Sequence, residues 1–223
     1  MLEYPKTYGP FKRDENKKLL INEPSFEEFV WLSEAPWSAT EKLHGMPARM
    51  HMGETEFQLY GRTSKTQLTS KQYEALEAWN ANHAAVLSHF KVGTTFYGEL
   101  IGPGIQGNPY QLSSYQFRAF AATNADDVWL DTDYVQRVFY NDSSLSNLFV
   151  PIIGYPGFVG SMPNWVQAVA NKTITSALHP DGWIEGVVLN LAGGLRFKDR
   201  PVVVKIRESD VEEMKRQSSK EPQ

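Results

Sequence analysis

Cysteine is absent from the 223 residues. That removes disulfides, thiolate metal sites and cysteine nucleophiles at once. No apolar run approaches the roughly 20 residues that span a bilayer. The N-terminal MLEYPKTYGPFKRDENKK lacks the apolar stretch of a signal peptide, so no membrane association and a cytoplasmic location are expected. A basic excess is missing too: 22 Lys and Arg stand against 26 Asp and Glu, a net charge of -4. Non-specific nucleic-acid binders usually carry such an excess. Any phosphate-binding cations must therefore be concentrated on one face. Only 5 histidines occur, and none makes a HExxH pair. Serine-hydrolase elbow, Walker loop and dinucleotide fingerprint are all lacking. GPGIQG at 102–107 has glycines but no following Lys-Ser/Thr, which makes it a poor phosphate loop.

Hydrophobic residues make up 41% and charged residues 22%, the balance of an ordinary globular domain. A chain of this length fits one large domain or two small ones, and there is no internal repeat. Ser25 and Glu28 fit a capping box ahead of a short helix. Short strands are expected at 38–44, 48–52 and 56–60. Apolar residues at steps near three and four predict an amphipathic helix over 70–90. Further strands are expected at 94–101 and 116–122, helices at 131–140 and 161–171, and an irregular stretch at 141–160. Two last strands, 183–190 and 201–207, flank a turn at Gly193–Gly194. Residues 208–223 read as a short polar tail whose helix frays. Many short strands interrupted by helices imply an α+β fold with antiparallel sheets flanked by helices.

Four segments put a charge where a strand should be apolar: TEKLHG at 40–45, FYGEL at 96–100, WIEGVVL at 183–189 and VVVKIR at 202–207. Strand alternation gives each charge one face while the apolar residues take the other. Lys42, Glu99, Glu185 and Lys205 could then share a cleft. The alternative is two structural salt bridges, since buried charges need partners.

Taken together, these segments resemble the motifs of ATP-dependent ligases and capping enzymes. Lys42-Leu43-His44-Gly45 is similar to the KxxG nucleotidyltransferase motif. Arg62 in Tyr60-Gly61-Arg62-Thr63 resembles the arginine element that follows it. Gly98-Glu99-Leu100 resembles motif III, and Phe120 the aromatic residue of motif IIIa. Glu185-Gly186-Val187-Val188 resembles motif IV, and Val204-Lys205-Ile206-Arg207 motif V. The histidine in the first motif, with GELIGPGIQGNPYQL, points to the RNA ligase 2 family. The resemblance covers residues 1–207, read as a stand-alone adenylyltransferase domain. The relatives with DNA ligase or guanylyltransferase activity carry an OB-fold domain after motif V, and no such domain is expected in the 16 residues after Arg207.

The resemblance implies an ATP-dependent RNA ligase that joins a 3′-hydroxyl to a 5′-phosphate end of RNA, or of an RNA/DNA hybrid, working as a monomer. Lys42 would attack the α-phosphate of ATP and become a lysyl-AMP. AMP would pass to an RNA 5′-phosphate, and a 3′-hydroxyl would expel it. Lys205 and Arg207 would offset phosphate charge, and Arg62 would clamp phosphate. Glu185 would bind Mg²⁺ or Mn²⁺. Glu99 would hold the ribose or reach the metal. Phe120 would stack on adenine, and the backbone of Glu41 and Leu43 would read its edge. His44 and Gly45 would lie beside the leaving pyrophosphate and the nucleotide. Arg62, Lys65 and the Lys12–Lys18 cluster are the expected RNA phosphate contacts.

Three departures stand out. Pro47 replaces the usual asparagine, with Arg49 the candidate substitute. Ala121 replaces the usual aspartate after Phe120, and Arg207 the usual lysine. Pro47 and Ala121 favour a rival reading, a non-catalytic nucleotide- or RNA-binding module. A further rival is DNA ligase or guanylyltransferase chemistry, which nucleotide choice between ATP and GTP would separate.

Overall fold

Period-two patterning dominates the computed structural model, which describes residues 2–193, 196–197 and 200–219. In chain order it contains β1 (Phe11–Arg13), β2 (Leu19–Pro24), α1 (Glu28–Trp31), β3 (Trp37–Glu41), β4 (Met46–Met52), β5 (Phe57–Gly61), α2 (Ala75–Ala81), α3 (His83–Leu87), β6 (Thr95–Ile101), β7 (Gln116–Thr123) and α4 (Thr132–Asn141). Then follow α5 (Met162–Ala170), β8 (Gly186–Leu191), β9 (Arg196–Phe197), β10 (Arg200–Pro201), β11 (Val203–Arg207) and α6 (Glu208–Ser218). The expected α+β class with antiparallel sheets is the observed one.

Two sheets carry the architecture. In the four-stranded sheet, order β5-β4-β6-β7, alternation sends Met50, Met52, Phe57, Phe96, Leu100 and Phe117 to one buried face. That face packs on Trp79, Val86, Val135 and Phe139 of the helices. Trp79 is fully buried, and its indole N–H donates to the Phe117 carbonyl at 3.1 Å. Truncating such a residue to alanine costs roughly 3–5 kcal/mol. In the three-stranded sheet, order β11-β8-β3, Trp37, Ala39, Val187, Leu189, Val204 and Ile206 pack with Trp165 and Val169 of α5 and Val211 of α6.

The opposite faces hold several of the expected site residues. By alternation they carry Thr40, Val188, Lys205 and Arg207 on one sheet and Pro47, Tyr97, Glu99 and Arg118 on the other. The 141–160 stretch proves to be a stitch between the sheets. Val150 donates to Ala119 of β7, while Glu41, Ile153 and Gly160 exchange backbone bonds with Pro151, Ala39 and Trp37 along β3. The N-terminal segment closes another edge, where Tyr8 bridges Val204 in parallel.

Several expectations are corrected. The helix over 70–90 is broken into a 3-10 turn at Ser70–Glu74, α2 and α3. Asn82 leaves the helical region, and its side-chain amide donates to the Ala78 carbonyl at 2.8 Å. Such local bonds compete with helix propagation. No Ser25–Glu28 capping box forms, because the Ser25 amide is used by the Pro10 carbonyl and α1 starts later. The strand expected from 183 begins only at Gly186, whose φ of +153° suits glycine. Residues 208–218 do not fray: α6 buries Asp210 and Val211. Gly194 lies outside the described residues. No helix among the described residues is long and apolar enough to cross a membrane.

Candidate active site

The first charged segment is pinned from both sheets. The Lys42 amide donates to the Gly186 carbonyl at 3.0 Å, which ties the end of β3 to the start of β8. Lys42 Nζ then lies 2.5 Å from Glu185 Oε1, with the two side chains 20% and 21% exposed. Leu43 is buried in the core of the four-stranded sheet and anchors the turn there. The His44 amide donates to the Tyr110 hydroxyl at 2.7 Å. At Gly45 an added Cβ would fall 2.8 Å from the Leu100 carbonyl oxygen and 3.1 Å from Glu99 Oε2. Only glycine lets this turn lie flat against β6, which places Glu99 beside the lysine.

The electrostatics follow from that crowding. Burial pushes the Glu99 carboxyl up to about 8, further helped by Glu185 and opposed by Lys42 and Arg62. Burial, Arg207 and Lys42 lower the Lys205 ammonium, against Asp210 and Glu185. Lys42, Glu99, Glu185 and Lys205 are therefore brought together as expected, with Arg62 at the exposed rim. Glu99 Oε2 and Glu185 Oε2 are buried without a hydrogen-bond partner among the described residues. Buried oxygens of this kind normally have partners, and a bound cation or hydroxyl would supply them. Among the described residues no set of three or more His, Cys, Asp and Glu gathers as a metal cage. Two carboxylates suffice for a hard cation that completes its shell with water and phosphate oxygens.

Arg207 is not free. Its Nε and Nη2 donate to Asp210 at 3.0 and 2.7 Å. Arg13 Nη2 reaches the same carboxylate at 2.5 Å and Nη1 reaches Glu213 at 3.1 Å. The N-terminal hairpin is thereby bonded to motif V through Asp210, a residue that a fraying tail would have left in solvent. Lys12, another expected phosphate contact, lies 3.9 Å from Glu23, both largely exposed.

The adenine-side residues are less simply placed. Phe120 is the extra residue of a β-bulge, since Tyr97 opposes Ala121 and Gly98 opposes Ala119. Bulges re-aim side chains near functional sites. Its ring meets Tyr4 edge-on at 4.8 Å. Glu41 is buried. Burial raises its carboxyl, which accepts from the Ser176 hydroxyl at 2.6 Å and the Ala177 amide at 3.3 Å. The Glu41 amide donates to the Pro151 carbonyl at 2.8 Å. Pro47 stands directly opposite Glu99 in the β4–β6 ladder, with no polar atom to offer. Arg49 does not replace the missing asparagine: it is buried and donates to the Gly61 and Leu2 carbonyls.

Residues missed from the sequence include Tyr110, whose phenol is raised mainly by burial, together with Asp210 and Ser176. Tyr110 sits in the GELIGPGIQGNPYQL stretch, where a polar ring between glycine and proline turns was the available signal.

The RNA ligase family matches residues 35–206. No curated protein matches the chain. Among solved structures the fold is similar to Naegleria gruberi RNA ligase with PPi, at a TM-score of 0.60, 19% identity, 96% of this chain and 60% of that one. The same values hold for a mutant of that ligase with AMP and Mn. A mutant with ATP and Mn matches at 18% identity with the same score and coverage. The chain thus spans 60% of the length of these solved relatives, and the likeness is one of fold.

Proposed function

The chain belongs to the RNA ligase family, and from that premise we propose that it is an ATP-dependent ligase that seals RNA 3′-hydroxyl and 5′-phosphate ends through a lysyl-AMP at Lys42. The observation that carries this reading is the Lys42–Glu185 pair at 2.5 Å, set beside Glu99 and the half-buried Lys205.

In the first step Lys42 Nζ leaves Glu185, gives its proton to solvent water and attacks the α-phosphorus of ATP. An N–P bond forms and pyrophosphate departs. An amine nucleophile must be neutral. Lys205 and Arg207 face the transferring phosphate and offset its charge. Arg62, exposed at the rim, clamps phosphate oxygens from outside. The 5′-phosphate oxygen of RNA then takes AMP from Lys42, and a 3′-hydroxyl attacks that phosphate and expels AMP. When bound, Mg²⁺ or Mn²⁺ neutralises phosphate charge, and Glu185 with Glu99 would hold it through their unpartnered oxygens. Phe120 and the backbone at Glu41 and Leu43 are the groups on this chain that would hold the adenine, and His44 with Gly45 flanks the phosphates.

A second reading is favoured by Pro47 and Ala121, which put no polar group where the family has one: a nucleotide- or RNA-binding module without catalysis. Intact-mass measurement after incubation with ATP and Mg²⁺ separates the two. The ligase reading expects the mass of one AMP on the wild type and none on Lys42→Ala. An unlabelled wild type, or a labelled Lys42→Ala, would overturn it.

A further inference from the structure

Six tryptophans occur in the chain. Four are buried: Trp37, Trp79, Trp129 and Trp165. Of the two exposed, Trp31 ends the short helix α1. Trp183 lies beside His44 and is 38% exposed. Ile184 packs into the core below the three-stranded sheet, while Trp183 meets His44 and Glu185 meets Lys42. The Trp183 ring centroid lies 6.3 Å from that of His44, two residues past the nucleophile.

The side chain is held in place without being covered. Its indole N–H donates to Glu208 Oε2 at 2.8 Å, and Glu208 Oε1 lies 3.0 Å from Lys172 Nζ. His44 and His179 meet the ring at 45° and 68°, so neither stacks flat upon it. A fixed, wet indole face costs apolar exposure and serves no packing purpose that a smaller residue would not serve. Aromatic faces of this kind bind nucleobases by stacking, with tolerance for base identity.

Resting on the ligase reading above, we propose that the open face of Trp183 is the stacking platform for the first base of the RNA strand whose 5′-phosphate accepts AMP. The attacking phosphate must reach Lys42, and its own base is attached through a single ribose. An aromatic face beside His44 stands within that reach. The 3′-hydroxyl strand has no such requirement in the AMP-transfer step. Trp183 thus gives the terminus a foothold that does not depend on charge, useful to a chain whose net charge is -4.

The test uses the whole chain with two 5′-phosphorylated RNA oligomers, identical except that one is abasic at its first nucleotide. Equilibrium binding is read for wild type, Trp183→Phe and Trp183→Ala. Wild type should bind the abasic oligomer roughly 5- to 150-fold more weakly, the equivalent of one base–aromatic stack. Trp183→Phe should keep part of that ratio, and Trp183→Ala should bind both oligomers equally. An abasic ratio preserved in Trp183→Ala would overturn the assignment. So would a ratio near one in wild type, or a Trp183→Ala whose KM for ATP rises while its abasic ratio stays put, since the ring would then serve adenine. Self-adenylation by intact mass is followed on the same samples. Failure of the wild type to gain AMP would sink the ligase reading, whereas the oligomer ratio decides the platform independently.

Discussion

Two cation–carboxylate pairs flank the same strand and differ in how fully they are satisfied. Lys42 and Glu185 share one short contact, while Glu185 Oε2 lacks a partner among the described residues. Arg207 and Asp210 share two, and Asp210 receives Arg13 as well. A saturated pair holds structure together. A pair with spare lone pairs is ready to exchange partners, which nucleophilic chemistry demands. Exposure agrees with this division: Asp210 is 6% exposed and Glu185 21%.

The sharpest way to break the comparison is to truncate both carboxylates. Glu185→Ala should lower self-adenylation by roughly a hundredfold or more, the scale of a lost transition-state electrostatic contact, with a small change in Tm. Asp210→Ala should do the reverse. Loss of charged hydrogen bonds to two partly exposed arginines should cost about 2 kcal/mol, a drop in Tm of roughly 4–8 °C, with adenylation reduced far less. Thermal melts and labelled-ATP assays on both variants check this, and matching profiles would erase the distinction.

Arg207 tests whether the saturated pair also contributes to chemistry. Arg207→Lys should retain partial adenylation, because the charge stays but the bidentate geometry is lost. Arg207→Ala should lose most of it. Wild-type rates in Arg207→Ala would confine the side chain to holding Asp210.

A pH dependence sets Glu99 apart from both pairs. Its folded value, pushed up to about 8 by burial from the ordinary 4.5, means that the native state binds this proton more tightly than the unfolded chain. Its contribution to stability is therefore greatest below pH 4.5 and is lost as pH rises through about 8. Glu99→Gln should remove that decline. Denaturant titrations of both proteins across this range check it, and parallel curves would show that Glu99 ionises normally.

The four charged strands were legible because their signal is local. Alternation over five or six residues sets the face of Lys205 or Glu99 whatever the rest of the chain does. The helices expected from 131 and 161 were legible for the same reason, and the structure adds that Asp131 and Ser161 cap them, each side-chain oxygen accepting an amide three residues on. The break at Asn82 was not, because a period near 3.6 continues through it and one side-chain amide overrides the pattern. Phe120 could be placed on its strand but not aimed, since the bulge exists only relative to β6.

What the sequence determined by itself was the α+β class, the strands that bear Glu99 and Lys205 and those that adjoin Lys42 and Glu185, and the match of their motifs to a family. Each rests on short-range periodicity or on residues close in the chain. Tertiary structure alone decided who satisfies whom. Asp210 meets Arg13 across 197 residues, Glu41 meets Ser176 across 135, and the His44 amide finds Tyr110 across 66. Buried polar groups need partners wherever the fold brings them, and no local pattern encodes an encounter at that separation.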